Sequence, residues 1–326
     1  MSYQPPFTIT PRIIDLISQI SEVLGRLSEN GDAEQALRLR RINRIRTIRG
    51  SLAIEGNTLS EGQITALLDG KHVIAPPREI QEVKNAIAAY DKLEAWRVDS
   101  EADLLEAHRV LMRGLINESG MYREGGVGVM KGAEVIHMAP PAKRVPVLMA
   151  ELFQWVNGSE HHPLITSSVI HYEFEFIHPF ADGNGRTGRL WQTLLLKQWN
   201  PLFGDMPVES MIYANQESYY LALQESTAES DSAYFITFIL EMILHTVSAT
   251  PQDSPQVTPQ VNRMLEVLQG EMTRTEIQQA LGLRDRKSFR DRYLKPALQA
   301  GVIEMTLPDK PNSRLQKYRL RSGSKR

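Results

Sequence analysis

Residues 178–189 read HPFADGNGRTGR and join two segments that have the apolar spacing of α-helices. The first segment, 164–177, must end near His178, because Pro179 disfavours a helical conformation in the residue before it. The second segment, 186–198, is predicted to be an amphipathic helix. The Gly, Asp and Asn residues between them favour a tight loop with positive φ angles at the glycines. The sequence therefore predicts the order helix, glycine-rich loop, helix N-terminus.

This order is suited to binding an anion. Successive backbone N–H groups from Gly183 to Arg186 can converge on one point, and the helix dipole favours negative charge there. Arg186 and Arg189 lie three residues apart and are expected on one helix face. Asp182 beside this positive cluster suits a Mg²⁺ ion that bridges it to a polyphosphate. With His178 as a general base, the pattern predicts nucleotidyl or phosphoryl transfer.

The composition excludes several other classes of function. The chain has 326 residues and no Cys, so disulfides, zinc ribbons, iron–sulfur clusters and thiol catalysis are excluded. No run approaches 18 apolar residues and the start lacks signal-peptide features, so we expect a cytoplasmic protein with no membrane partner. Helical periodicity dominates as far as residue 247, except that residues 125–139 predict a small β-hairpin. The predicted fold class is mainly α.

The net charge of −2 conceals two oppositely charged regions. Residues 255–326 hold 15 Lys and Arg against 7 Asp and Glu, a net charge of +8, whereas the remainder holds 22 against 32, a net charge of −10. The Pro- and Ser-rich residues 249–259 have little to bury and predict a semi-extended linker. We therefore expect a separate C-terminal domain over residues 260–326.

This basic domain is predicted to contain three helices and then two strands, the order of a winged helix with a helix-turn-helix in its middle. Five basic residues are expected on or near the candidate recognition helix: Arg284, Arg286, Lys287, Arg290 and Arg292. Lys and Arg contacts to phosphate give affinity for nucleic acid without sequence information. DNA binding and a protein-docking or dimerisation module therefore stay open as alternatives.

The segment quoted first resembles the HxFx(D/E)GNGRxxR signature of the Fic domain family and shows no departure from it. The resemblance extends over about residues 40–245. It implies an N-terminal helical region over 1–100, a Fic helical core with a β-hairpin flap over 101–248, and the winged-helix domain beyond. By similarity, the chain is a protein adenylyltransferase that transfers AMP from ATP, with Mg²⁺, to a Ser, Thr or Tyr hydroxyl of an unidentified target protein or of itself.

The resemblance also gives the residues of the signature their roles. His178 would deprotonate the target hydroxyl, and Asp182 would hold Mg²⁺. Arg186 would contact the β-phosphate and Arg189 the γ-phosphate. Asn184 and the backbone of the loop would surround the α- and β-phosphates. The residues of the loop and the first helical turn that would contact the nucleotide are Gly183, Asn184, Gly185, Thr187 and Gly188.

Two other segments resemble family features. The hairpin ends in four residues that resemble the Fic flap, which would hold the target segment by strand addition: Val135, Ile136, His137 and Met138. Tyr219 and Tyr220 resemble the aromatic pair beside the adenine and ribose of the nucleotide. The alternative for both tyrosines is packing against the core.

Residues 51–57, SLAIEGN, resemble the (S/T)xxxE(G/N) inhibitory motif that some Fic proteins carry before the catalytic core. Glu55, near the end of a predicted inhibitory helix at about 40–57, would form a bidentate pair with Arg189. Ser51, one helical turn earlier, would steady the carboxylate or its helix end. The resemblance therefore implies an autoinhibited enzyme whose phosphate-binding arginine is occupied.

Two rival functions stay open at this stage. One is the reverse reaction, the removal of AMP from a modified protein, with Glu55 positioning the attacking water. The other is a nucleotide-sensing, DNA-binding regulator with vestigial catalysis, against which the intact His178 and Asp182 argue. The oligomeric state does not follow from the sequence, so a homodimer that controls Glu55 stays open. Whether ATP is the only donor also stays open.

Overall fold

The computed structural model describes residues 4–27, 33–131, 134–249, 259–268, 270–283, 285, 289–299, 302–306, 313 and 316–320. The chain divides into two compact units, Met1–Thr250 and Pro251–Arg326. Helices dominate both units, which confirms the mainly α fold class with a small antiparallel hairpin. No helix in the described ranges has both the length and the apolar character that crossing a membrane requires.

The first unit contains α-helices of 7 to 22 residues and one hairpin. The helices are α1 (Pro11–Leu27), α2 (Ala33–Ile54), α3 (Glu61–Leu68), α4 (Pro77–Asp91), α5 (Glu101–Leu111), α6 (Val145–Gly158), α7 (Pro163–Ile177), α8 (Asn184–Trp199), α9 (Val208–Ala214), α10 (Gln216–Glu229) and α11 (Ala233–Ala249). Short 3₁₀ turns cover Leu93–Ala95, Ala142–Arg144 and Pro201–Asp205. The sequence analysis missed α9, because seven residues are too few to show a helical period.

Helix α7 lies at the centre of the first unit and is buried along almost its whole length. A helix whose apolar residues are spread around its circumference is expected in a core rather than at a surface. It packs against α8 and α11. At Gly188 of α8, an added Cβ would lie 3.3 Å from the Phe174 ring of α7, so the two helices are in close contact. This packing gives the loop between α7 and α8 a rigid support.

Helix α2 is held against the unit by close backbone contact. A Cβ added at Gly50 would lie 2.6 Å from the backbone of Glu209 in α9, so only glycine fits between these helices. The helix ends in hydrogen bonds of the Schellman type, with Gly56 at a φ of 89°. Glu55 therefore projects from a well-defined helix end.

The hairpin consists of β1 (Gly128–Lys131) and β2 (Glu134–Met138), which pair antiparallel and lie beside α10. The register pairs Val129 with His137 and Met130 with Val135. Ile136 is therefore the extra residue of a β-bulge. Since bulges twist a strand, the edge that the sequence analysis expects to receive a target segment is irregular.

The second unit contains α12 (Pro259–Val267), β3 (Met272–Thr273), α13 (Arg274–Ala280), a π-helical turn (Arg290–Leu294), α14 (Lys295–Gln299), β4 (Ile303–Met305) and β5 (Lys317–Leu320). The antiparallel strands lie in the order β3-β5-β4. A capping box formed by Thr273 and Glu276 begins α13. Of the five basic residues on the candidate recognition helix, Arg290 and Arg292 are exposed, and Arg284, Arg286 and Lys287 lie outside the described residues.

Candidate active site

His178 ends α7 in the left-handed conformation, with φ 50° and ψ 61°. This conformation is uncommon for a residue other than glycine and needs support from its surroundings. The N–H of His178 donates to the carbonyl of Phe174 at 2.9 Å, and its own carbonyl accepts from Nε of Arg123 at 2.7 Å. Nη2 of Arg123 also donates to the carbonyl of Pro140. One buried arginine therefore joins the His178 corner to the chain that follows the hairpin.

Glu175 lies beside the imidazole of His178. Nδ1 of His178 is 3.3 Å from the carbonyl oxygen of Glu175 and 3.8 Å from its Oε2. Because both neighbours are acceptors, the geometry favours the tautomer with the proton on Nδ1 and a lone pair on Nε2. Burial raises the pKa of Glu175 to about 7, against the opposing charge of Arg189. Glu175 is therefore a titrating group next to the candidate base.

Asn184 closes the loop by pairing both of its amide groups with Phe180. Its Oδ1 accepts from the N–H of Phe180, and its Nδ2 donates to the Phe180 carbonyl, both at 2.8 Å. The Phe180 ring stacks on His108 at 3.6 Å with parallel planes. Nε2 of His108 bonds to the carbonyl of Asp182 at 2.9 Å, and burial lowers the pKa of this histidine to about 4. Neutral His108 thus stabilises the loop through its hydrogen bond to Asp182 and its stacking on Phe180.

Helix α8 begins at Asn184, two residues before the predicted start, because Gly183 caps it with a φ of 84°. The first intrahelical bond runs from the N–H of Thr187 to the carbonyl of Gly183 at 3.0 Å. The N–H groups of Asn184, Gly185 and Arg186 are therefore those that a helix leaves without an intrahelical acceptor. Gly183, Asn184 and Gly185 line a cavity, so this helix N-terminus is suited to an anion.

Arg189 is held at the same cavity by the end of α2. Its Nη2 donates to Oε1 of Glu55 at 2.6 Å and to the carbonyl of Ser51 at 3.0 Å, while its Nε donates to Oγ of Ser51 at 3.3 Å. The side chain of Arg189 is 1% exposed and that of Glu55 is 36% exposed. Burial acts against the charge of Arg189, but the Glu55 carboxylate raises its pKa overall.

The expected bidentate pair between Glu55 and Arg189 is corrected to a single hydrogen bond. The reason is geometric: Ser51 accepts from Nε and shares Nη2 through its carbonyl, so the guanidinium does not face the carboxylate edge to edge. Ser51 thus acts on the arginine and not on the Glu55 carboxylate. Oε1 of Glu55 also lies so near Gly185 that an added Cβ would be 2.3 Å from it.

Asp182 is half-buried at the mouth of the cavity and is paired with two arginines. Its Oδ1 accepts from Nη2 of Arg186 at 2.9 Å and from the N–H of Gly183 at 2.6 Å. Its Oδ2 is 3.2 Å from Nη2 of Arg78, a residue of α4. The carboxylate that the sequence assigns to a metal is therefore neutralised by side chains in this structure.

The two tyrosines have different surroundings. The hydroxyl of Tyr219 is 3.3 Å from Oε1 of Glu175 and 3.2 Å from Nε2 of His171, inside a buried network. Burial and the charge of Glu175 raise its pKa well above the ordinary value. Tyr220 is half-buried, and its hydroxyl accepts from Gln216. Tyr219 therefore orients Glu175, whereas Tyr220 keeps a face toward the cavity.

The cavity has a volume of about 220 Å³. Its lining combines residues from α2, α7, the loop, α8 and α10: Ile54, Glu55, Glu175, His178, Ala181, Asp182, Gly183, Asn184, Gly185, Arg189, Tyr219, Tyr220 and Leu223. Residues from five separate parts of the chain therefore surround one space, and a candidate base, a helix N-terminus and a buried arginine all border it.

Known proteins share this arrangement of sequence and fold. Residues 98–196 match the family described as Fic/DOC, and residues 259–321 match the family described as filamentation induced by cAMP protein Fic-like, C-terminal domain. The structure is similar to the crystal structure of a Fic family protein from Desulfovibrio desulfuricans G20, with 51% identity and a TM-score of 0.74 over 99% of this chain and 100% of that chain. This chain belongs to the Fic family.

More distant Fic relatives are also similar. Protein adenylyltransferase Fic of Aedes aegypti is 31% identical over 254 residues, which are 71% of this chain and 48% of the relative. The protein of the same name from Drosophila melanogaster is 33% identical over 205 residues, 59% of this chain and 39% of the relative. This Fic chain thus spans about half the length of the curated relatives it matches. Fic-1 of C. elegans, at 24% identity and a TM-score of 0.63 over 73% of this chain and 71% of that chain, shares the fold.

Within this Fic site, three residues that the sequence analysis assigns to the nucleotide do not line the cavity: Arg186, Thr187 and Gly188. Arg186 is buried against Asp182 and Glu82. The hydroxyl of Thr187 donates to the carbonyl of Gly183, and Gly188 packs on α7. Thr187 and Gly188 thus serve the packing of α8, and their assignment to the nucleotide stays a prediction. The side chain of Asn184 is likewise engaged within the loop, which leaves its backbone N–H for an anion.

The flap is only partly described. The side chains of Val135, Ile136 and His137 lie outside the described part of the chain, and Met138 is exposed. The sequence analysis missed Glu175, although a carboxylate three residues before His178, at the end of a mainly apolar helix, was a signal. It also missed His108 and Arg78, for which no local pattern exists, since they reach the loop from 74 and 104 residues away.

Proposed function

We propose that this Fic chain is a protein adenylyltransferase that transfers AMP from ATP to a Ser, Thr or Tyr hydroxyl of a protein. The observation that carries the proposal is the convergence of His178, the N-terminus of α8 and Arg189 on one cavity. An imidazole base next to an anion site is what transfer of a phosphorus centre to a hydroxyl requires. The names of the insect relatives support this activity.

In the proposed reaction, Nε2 of His178 takes the proton of the target hydroxyl, whose oxygen attacks the α-phosphorus of ATP. The bond from the α-phosphorus to the bridging oxygen breaks, so that pyrophosphate leaves and AMP is joined to the hydroxyl oxygen. The N–H groups at the start of α8 bind the phosphates, and Arg189 binds the terminal one once Glu55 has moved away. Glu175 keeps the proton of His178 on Nδ1.

The residues present fit a magnesium ion that arrives with the nucleotide. No group of three or more His, Asp or Glu suited to a metal occurs within the described ranges. A single accessible carboxylate, as Asp182 provides, is the usual protein contribution when Mg²⁺ is shared with substrate phosphates. Asp182 would hold the ion, which would neutralise charge on the phosphates.

Autoinhibition by Glu55 is part of the proposal. Its carboxylate lies over Gly185 and bonds to Arg189, so it stands where an anion at the start of α8 would bind. The remaining cavity of about 220 Å³ is smaller than the ~300–1,000 Å³ of typical ligand pockets. A polyphosphate therefore needs the Glu55 carboxylate to move before Arg189 can bind it.

Incorporation of radiolabelled AMP from ATP tests both parts of the proposal. We expect Glu55→Gly to raise incorporation at least about tenfold, and His178→Ala in that background to lower it by about 10²- to 10⁴-fold, the usual contribution of a general base. Glu118→Gly, at an exposed glutamate in a loop, is the matched control and should change nothing. No gain with Glu55→Gly contradicts the inhibitory role, and incorporation that survives His178→Ala contradicts the mechanism.

The reverse reaction is the second candidate, because the exposed Glu55 carboxylate shares the cavity with His178 and can position a water. The same assay with a pre-adenylylated protein separates the two directions. Release of AMP that is lost in Glu55→Gly supports removal, whereas incorporation that rises in Glu55→Gly supports transfer.

For the second unit we propose a winged helix that binds DNA. The net charge of +8 over residues 255–326 supports it, as do the antiparallel strands β4 and β5, which follow the helices and form a three-stranded sheet with β3. Docking of a protein is the alternative, and binding to duplex DNA that weakens steeply with salt would distinguish them. A cytoplasmic location and a homodimer stay predictions.

A further inference from the structure

Asp182 contacts an arginine that comes from outside the family signature. Arg78, in the first turn of α4, places Nη2 3.2 Å from Oδ2 of Asp182, while Nη2 of Arg186 is 2.9 Å from Oδ1. The side chain of Arg78 is 60% exposed and that of Arg186 is 5% exposed. Arg78 can therefore leave the carboxylate by a change of rotamer, whereas Arg186 cannot leave without opening the core.

Helix α4 reaches the site through a ring of alternating charges. Glu82, one turn after Arg78, has its Oε1 3.4 Å from Nε of Arg78 and 3.5 Å from Nη1 of Arg186. Asp182, Arg186, Glu82 and Arg78 thus close a ring in which each charge lies between two of the opposite sign. Within the described part of the chain, Nε and Nη1 of Arg186 are buried with no hydrogen-bond acceptor.

The same ring is bonded to the end of the inhibitory helix. Nδ2 of Asn57, two residues after Glu55, donates to Oε2 of Glu82 at 2.8 Å. The N–H of Thr58 donates to Oε2 of Glu79, also in α4, at 2.6 Å. The chain segment that presents Glu55 to the cavity and the helix that presents Arg78 to Asp182 are therefore linked by direct hydrogen bonds.

We propose that Arg78 competes with a divalent cation for Asp182, so that the N-terminal helices restrain the expected metal ligand as well as Arg189. A guanidinium and a metal ion cannot both lie against Oδ2 of Asp182 without strong repulsion between like charges. Arg78 is the exposed partner and gives way. This inference rests on the proposed function, because it takes a magnesium–nucleotide complex as the ligand of the cavity.

The Mg²⁺ dependence of nucleotide binding tests the competition without a catalytic readout. Calorimetry measures the affinity of the Glu55→Gly protein for α,β-methylene ATP, which cannot donate AMP, first in EDTA and then at increasing Mg²⁺. We expect Arg78→Ala to lower the Mg²⁺ concentration at half-maximal affinity by about three- to fivefold, the scale of a partly exposed ion pair. The affinity in EDTA should not change.

Lys84→Ala is the matched control, since Lys84 is an exposed cation on the same helix. It should leave both quantities unchanged, and Arg78→Lys, which keeps a charge, should retain most of the parent Mg²⁺ requirement. An unchanged Mg²⁺ midpoint in Arg78→Ala overturns the proposal, whether or not the affinity in EDTA falls; a fall identifies Arg78 as a phosphate ligand instead. If the Glu55→Gly parent binds no nucleotide at any Mg²⁺ concentration, the proposed function fails and not the role of Arg78.

Discussion

The signature loop and the end of α2 border the same cavity, and α4 contacts the loop, but the contacts that hold the loop differ from those made by the N-terminal helices. The loop takes its shape from buried contacts within the body of the unit, such as the paired hydrogen bonds of Asn184 with Phe180. The N-terminal helices reach its charged residues through exposed side chains, Glu55 from the end of α2 and Arg78 from α4. In each ion pair at the cavity, the partner from the N-terminal helices is the more exposed one.

The buried contacts of the loop and the exposed ion pairs of the N-terminal helices contribute different amounts to stability. A buried polar group left without a partner costs about 1–3 kcal/mol, whereas an exposed ion pair contributes about 0–1 kcal/mol. The geometry of the anion site is therefore costly to change, whereas the exposed contact of Arg78 with Asp182 contributes little to stability.

The largest expected effect comes from breaking the loop itself. Asn184→Ala leaves the N–H and carbonyl of Phe180 buried without partners, so we expect it to destabilise the protein by about 2–5 kcal/mol. Nucleotide binding should be lost in the Glu55→Gly background as well. Urea unfolding and calorimetry measure the two effects. Asn200→Ala, which removes the cap of a short 3₁₀ turn, is the control.

The two effects of Asn184→Ala need to occur together. A variant that loses stability and still binds nucleotide with the parent affinity would show that the loop shape does not set the anion site. The anion site would then not depend on the buried contacts that hold the loop.

A smaller effect is expected at Glu175, which faces Arg189 from the side of the body as Glu55 does from the side of α2. Burial raises the pKa of Glu175 from the ordinary 4.5 to about 7, so the folded state binds its proton more tightly than the unfolded chain. The stability that this proton provides is complete below about pH 4.5 and is lost as the pH rises through 7. Relative to Glu175→Gln, the wild type should lose up to about 3 kcal/mol between pH 4.5 and pH 8.

Urea unfolding of both proteins across that pH range measures the difference, with Glu225→Gln, at an exposed glutamate, as the control. His108 and His171, whose pKa values burial lowers to about 4 and about 3, contribute the opposite trend, but they do so in both proteins. The charge of Glu55 also raises the pKa of Glu175, so Glu55→Gly should reduce the pH dependence. A difference that does not vary with pH contradicts the raised pKa.

Sequence reasoning succeeded where the signal is local. The helix end at His178, the positive φ of Gly183 and the contact of Glu55 with Arg189 follow from chain neighbours or from a short motif. It failed for side chains whose partners are set by packing: the amide of Asn184 turns into the loop. Arg78 reaches the loop from 104 residues away. Distances of this kind depend on how helices pack, which the periodicity of a single helix does not encode.

The inhibitory motif shows the same limit within five residues. The sequence places Ser51 and Glu55 one turn apart, which is enough to expect both near one partner. It does not say how the donors of Arg189 are divided between them. The division, with Ser51 taking Nε and sharing Nη2 through its carbonyl, decides how much of the arginine stays held when either residue is changed.

The smallest expected effect therefore comes from Ser51→Ala. This change removes the hydroxyl that accepts from Nε of Arg189 at 3.3 Å, but the backbone carbonyl of residue 51 and the Glu55 carboxylate keep their bonds to Nη2. Since one weak hydrogen bond is worth about 1 kcal/mol, AMP incorporation should rise by no more than about fivefold, well below the gain in Glu55→Gly. Ser18→Ala, at an exposed serine of α1, is the control.

A gain as large as that of Glu55→Gly would mean that the hydroxyl, and not the carboxylate, holds Arg189 in place. A decrease in AMP incorporation would mean that Ser51 orients Arg189 for the phosphate, as the buried contacts of the loop orient the anion site. The expected rise, smaller than that in Glu55→Gly, would show that Ser51 and Glu55, one helical turn apart, contribute separately to positioning Arg189. Only the contribution of Glu55 can then be withdrawn without unwinding α2, because Ser51 lies within the helix and Glu55 lies beyond its last residue.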